Sequence, residues 1–181
     1  MVDETRGRPS TFFEGKGIGF IRQNPVFCPH LRQSLIDVLN GLGLRYKDRG
    51  VYVCTQGPRL ETRAEIRKFA SYGGELVGMT LVPEVFLASE LEMCYAALCY
   101  VTNYAEGVVE RPFRAEELFG GLSTDDEKKR VARAVEKFPE IIAKLAVHIE
   151  GVNIPCHCSH SMQRYKVEGR IGEDWRDWIE T

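Results

Sequence analysis

No apolar run in this chain approaches the roughly 20 residues that a membrane-spanning helix needs, so a membrane protein of the helical kind is not expected. The start, MVDETRGRPS, has no apolar core of a signal peptide, and a cytoplasmic location follows as the expectation. There is no excess of positive charge either. With 24 Lys and Arg against 26 Asp and Glu the net charge is -2, the basic residues form no stripe, and nucleic acid is not expected as a partner. Nor is there a glycine-rich loop in the setting a phosphate cradle requires: GKGIG (15–19) precedes a strand-like segment instead of following one. No repeat and no linker divides the chain.

What is present is ordinary globular material, 44% hydrophobic and 28% charged over 181 residues, enough for one domain with a core. Residues 1–16 read as an irregular arm, and Gly17–Arg22 as a short strand. A helix follows from Pro29, with Leu31, Leu35, Val38, Leu39 and Leu42 on one face and Gly41 and Gly43 ending it. Strands are expected at Gly50–Thr55 and Leu76–Met79, with a helix over Glu61–Tyr72 between them. Pro83 opens another helix to about Met93. The continuous apolar run CYAALCYVT (94–102) suits a central strand covered on both faces. Thr124 and Glu127 are spaced as a capping box at the head of a long helix, which Pro139 should kink. Alternation of strand and helix predicts an α/β fold with a mixed, mostly parallel sheet flanked by helices over residues 1–150, followed by an irregular Cys-x-Cys tail at 151–181.

Loops at the carboxyl ends of parallel strands are the expected binding edge. Three segments arrive there: Gly57–Glu61, Met79–Glu84 and Asn103–Gly107. Taken singly, each has a plain reading: a Gly-Pro turn with a charged first helical turn, a core methionine, a strand-end asparagine.

Together these segments, GPRLETRAE (57–65) and ELVGMTLVPEVFLASELEMCYAALCYVTNYAEG (75–107), resemble the trimeric purine nucleoside phosphorylases, and within them the methylthioadenosine and methylthioinosine phosphorylase branch. GRPSTFFEG (7–15) and NPVFCPHLR (24–32) fit the same branch. The resemblance implies a nucleoside phosphorylase fold lacking its N-terminal part. It also implies phosphorolysis of a purine nucleoside, with inorganic phosphate as co-substrate and no other cofactor. Carried over residue by residue, Leu60 lies against the base, Glu61 and Asn103 hydrogen-bond it, with Asn103 the catalytic group, Met79 faces the ribose and Thr80 contacts phosphate. Phe20 falls where the family sends a residue into a neighbouring subunit's sugar pocket, although an aromatic on a short strand is as readily a packed one.

The residue types then separate the substrates. An ionised Glu accepts hydrogen bonds, and Asn both donates and accepts. A 6-oxopurine offers N1-H to Glu61 and offers O6 and N7 to Asn103, whereas adenine would set an unprotonated N1 against a carboxylate, at about 1–3 kcal/mol per unsatisfied buried acceptor. The expected reaction is therefore phosphorolysis of inosine, guanosine or 5′-methylthioinosine. Two alternatives stay open: a 5′-methylthioadenosine phosphorylase, and a non-catalytic purine-binding or scaffold remnant. Family members that prefer a free 5′-hydroxyl carry a histidine after the Asn motif, and none occurs between Tyr104 and Arg133, so the resemblance implies an apolar 5′ pocket.

Met1–Thr5 resembles a point well inside a family member. The family's phosphate loop and Arg-x-His contact have no counterpart in the chain, so a remaining half is expected upstream or in a second polypeptide. The family's trimer implies a homo-oligomer, trimer or hexamer. Cys156-His157-Cys158-Ser159-His160 has ligands too close together for an ordinary zinc site and no second pair beside it, so no metal is expected. Thermophilic relatives carry disulfides, and on that pattern Cys28 and Cys94 would form one pair and Cys156 and Cys158 another.

Overall fold

A computed structural model describes residues 1–5, 11–110, 115, 124–152 and 155–178. Most of the 108–121 loop and part of the 7–15 segment lie outside the described residues, as does Ser123 ahead of the long helix. The described elements are β1 (Val2–Asp3), α1 (Pro29–Gly41), β2 (Tyr52–Cys54), α2 (Arg63–Ser71), β3 (Leu76–Gly78), α3 (Glu84–Glu90), α4 (Asp125–Ile149) and α5 (Gln163–Val167), with single 3-10 turns at Cys158–His160 and Trp175–Asp177.

The sheet is parallel, in the order β1-β2-β3, with Val53 opposite both Val2 and Val77. All three residues of β2 are buried, as expected of a middle strand with both faces covered. Helix starts follow from local chemistry. Pro29 occupies the first turn of α1, where its missing N–H costs nothing. Thr62 and Glu65 cap α2 reciprocally, and Thr124 and Glu127 do the same for α4. Helix α4 runs through Pro139 and packs Ile141 against Leu35, Val38 and Leu39 of α1.

Four expectations are corrected. Gly17–Arg22 is not a strand; the segment is held by other bonds, among them Phe20 N–H to Tyr165 Oη (2.9 Å) and the Arg170 guanidinium to the carbonyls of Lys16 and Gly17 (2.8 and 3.1 Å). The run 94–102 forms no strand and pairs with none among the described residues; Ala96 and Leu98 pack on the α1–α4 core, and Tyr100 meets Phe138 edge-on with ring centroids 5.4 Å apart. A strand needs a neighbour to share its ladder, and apolar composition cannot supply one. The arm is not wholly irregular, because Val2–Asp3 adds β1 to the sheet. The tail is ordered by a cluster of its own, Phe13, Met162, Tyr165 and Trp178, which ties it to the N-terminal arm.

Candidate functional site

The carboxyl ends of β1, β2 and β3 point to one edge, and most of the predicted site residues lie along it. Strand β2 runs into Thr55, which is buried and continues the ladder with an N–H bond to Gly78 O (2.8 Å). Its hydroxyl donates to Glu61 Oε1 at 2.5 Å. Glu61 thus stands just ahead of α2, outside the helix in which the sequence reading had placed it, aimed back at the strand ends with an acceptor oxygen still to offer. Thr55 is the partner of Glu61 that sequence alone does not reveal; a threonine ending an apolar strand six residues before a glutamate is the available signal.

Two close approaches fix the neighbouring residues. Gly57 has φ +64°, and a Cβ there would lie 2.6 Å from Met79 Sδ, so Met79 covers the turn that carries Leu60 and Glu61. A Cβ on Gly78 would lie 2.0 Å from Tyr52 Oη, the hydroxyl that sits 3.3 Å from Thr80 Oγ1. Burial pushes the Tyr52 phenol above its ordinary range, so it stays protonated at neutral pH. Gly57→Ala should cost about 1–2 kcal/mol from the left-handed backbone alone. Urea denaturation of the variant checks this, and an unchanged stability contradicts it.

The turn before α2 is strapped by Arg59, whose guanidinium bonds Glu65 through both nitrogens (2.9 and 2.7 Å) and Leu60 O (3.0 Å). Arg59 first, then the Thr62 backbone and hydroxyl, hold the Glu65 carboxyl down at about 2. A depressed carboxylate contributes above its ordinary pKa of 4.5 and loses that contribution as pH falls through about 2. An NMR titration of Glu65 should therefore show a midpoint near 2, and an ordinary midpoint would mean that the strap is absent in solution.

Asn103 comes to the same edge by a separate route. Arg63, the first residue of α2, holds Glu110 through two bonds of 2.8 and 3.1 Å, and Gly107 lies against the Arg63 stem. The Asn103 amide donates to Tyr104 O (2.8 Å) and accepts from Thr102 Oγ1 (2.6 Å), so one N–H and one lone pair remain for a ligand. Asn103 lines a cavity of about 180 Å³ with Tyr104, Glu127, Arg130 and Val131. Ordinary small-molecule sites run to about 300–1,000 Å³, so this hollow alone does not enclose a nucleoside. No hydrogen bond joins Asn103 to Glu61, although both stand along the same edge.

Leu60 and Thr80 are exposed, the first at 41%. Phe20 is 84% exposed. It borders a second cavity of about 530 Å³ with Asp3, Arg22, Phe86 and Glu90, placing it beside the end of β1. No helix among the described residues is long and apolar enough to cross a membrane.

Residues 1–146 match the family described as the phosphorylase superfamily. The chain is 40% identical over 149 residues to a 6-oxopurine nucleoside phosphorylase of Pyrococcus furiosus, covering 77% of this chain and 56% of the relative. It is 48% identical over 119 residues to a probable S-methyl-5′-thioinosine phosphorylase of Methanopyrus kandleri, covering 66% and 46%. Among solved structures it resembles an adenosine/methylthioadenosine phosphorylase mutant of Schistosoma mansoni in complex with adenine, with TM-score 0.69 and 26% identity over 84% of this chain and 58% of the other. The chain spans about half the length of the curated relatives it matches.

Proposed function

We infer that this chain, which belongs to the phosphorylase superfamily, carries the base-recognition half of an enzyme that cleaves 6-oxopurine nucleosides with inorganic phosphate. The observation that carries the reading is the Thr55–Glu61 pair at the end of β2. The threonine hydroxyl turns a carboxylate toward the strand ends, where it accepts a proton-bearing edge of a ligand. Hypoxanthine and guanine present such an edge at N1-H, and adenine does not. Relatives of similar identity are named for 6-oxopurine, methylthioinosine and methylthioadenosine substrates, so the choice among them rests on the Thr55–Glu61 pair.

In the reaction a phosphate oxygen bonds to the sugar C1′ as the bond from C1′ to the purine N9 breaks, and the base departs carrying the electron pair. Stabilising that developing charge is the catalytic task. The free amide N–H of Asn103 donates to N7 while Glu61 holds N1-H. Leu60 lies on the base, Met79 faces the ribose, and Thr80 meets the phosphate, its hydroxyl set by Tyr52. Phe20, almost wholly exposed beside its cavity, suits a role across an interface with a second copy of the chain, and we assign the protein as a cytoplasmic homo-oligomer.

A second reading is favoured by one observation: among the described residues Thr80 is the one proposed phosphate contact. On that reading the base binds and is not released from a nucleoside without a further polypeptide. The test is phosphate-dependent release of hypoxanthine from inosine and methylthioinosine, with methylthioadenosine as comparison. Turnover of the inosine compounds alone supports the first reading. Hypoxanthine binding without turnover supports the second, and preferred cleavage of methylthioadenosine overturns both.

A further inference from the structure

Four cysteines from three parts of the chain converge away from the sheet edge. Cys28 caps the start of α1, Cys94 lies just beyond α3, and Cys156 and Cys158 lie in the tail. Their Sγ atoms all fall within 4.8 Å of one another, and those of Cys94 and Cys156 are 3.4 Å apart. All four are free cysteines; Cys28 is buried and the others are half-buried. We propose that these four thiolates bind one zinc ion, which fastens the tail to the segments before α1 and after α3.

The geometry suits a single tetrahedral cation. A zinc–sulfur distance of about 2.3 Å sets sulfurs about 3.8 Å apart along every edge of the tetrahedron, so the cluster needs only a slight adjustment. Two disulfides require two close pairs and place no demand on the remaining distances, whereas here every sulfur lies near every other. Backbone donors also meet the sulfurs. Leu31 N–H points to Cys28 Sγ (3.5 Å) at the N-terminus of a 13-residue helix, and the Cys158 N–H addresses Cys156. Such donors and the helix dipole favour the negative charge that four metal-bound thiolates carry.

The choice of ion follows from the ligands. Four soft thiolates in tetrahedral array select zinc or iron, and nothing in the proposed reaction moves electrons, which points to the redox-inert ion. On binding, each thiol yields its proton to solvent and no sulfur is oxidised. From sequence no metal is expected, because the Cys156-x-Cys158 spacing is tighter than an ordinary zinc site uses and no second pair lies beside it. The fold supplies that pair from Cys28 and Cys94, more than sixty residues away in sequence from the tail cysteines.

The test uses the full chain, expressed with zinc and purified under reductant, with its metal content measured by mass spectrometry. One zinc per chain is expected. Cys94→Ser and Cys156→Ser should weaken zinc by about 100-fold or more, since even outer-shell changes cost roughly 10–100-fold, while Cys99→Ser should retain it. Cobalt added to the zinc-free wild-type chain should give the intense visible bands of a tetrahedral thiolate site, a readout that needs no variant to fold. A parallel preparation without reductant that is metal-free, with a mass lower by the hydrogens of two disulfides, overturns the proposal, as does a reduced chain that leaves added cobalt colourless.

Discussion

Glu61→Ala should weaken hypoxanthine binding by about 10–100-fold and erase the preference for hypoxanthine over adenine. A hydrogen bond to a charged group is worth about 1.5–3 kcal/mol, and the variant also removes the closer acceptor of the buried Thr55 hydroxyl, leaving it only Gly78 O at 3.4 Å. The conservative variant Glu61→Gln is the sharper probe. Its amide keeps a bond to Thr55 and can donate to an unprotonated N1, so it should lose hypoxanthine and gain adenine. Isothermal titration with both bases reads each effect. Loss of both bases in equal proportion would mean that Glu61 shapes the turn and does not read the base.

Lys166→Ala should cost about 3 kcal/mol of stability and free the tail. Lys166 Nζ meets Glu92 Oε2 at 2.7 Å with side chains only 9% and 11% exposed, and removing one partner of a buried pair typically costs about 3–5 kcal/mol by stranding the other. Glu92 has further duties that raise the effect. Its second oxygen accepts Met162 N–H (3.2 Å), and it holds a backbone φ of 58°, unusual for a residue with a side chain. Lys166 also lies 5.2 Å from the Trp178 ring centroid, so tryptophan fluorescence during urea denaturation reports the change. A loss below about 1 kcal/mol, the scale of an exposed pair, would contradict this assignment. The double variant Glu92→Gln, Lys166→Met should recover part of the loss, because no stranded charge remains.

The elements that sequence made legible are those whose signals are local. Pro29 starts α1, and the spacings Thr62 to Glu65 and Thr124 to Glu127 announce α2 and α4, because a capping box closes within one turn and needs nothing from the rest of the chain. The strands before Gly57 and Met79 were equally legible, and with them the edge where Glu61 and Thr80 stand. What escaped depends on distant partners. The run 94–102 has a strand's composition and no strand beside it among the described residues. The tail owes its order to Tyr165 reaching Phe20 across 145 positions and to Arg170 reaching Lys16 across 154. The cysteine cluster is of the same kind: the Cys156-x-Cys158 pair is visible in sequence, but its meeting with Cys28 and Cys94 depends on the fold. Thr55 is intermediate, since its hydroxyl bond to Glu61 is local but looks in sequence like one more strand residue.

The central claim is that this edge reads the proton-bearing face of a 6-oxopurine, and titration of the wild-type chain with hypoxanthine and with adenine, side by side, tests it most directly. Hypoxanthine should bind at least about fivefold more tightly, the effect of one mismatched hydrogen bond of about 1–3 kcal/mol. Adenine bound as tightly as hypoxanthine, or more so, would contradict it.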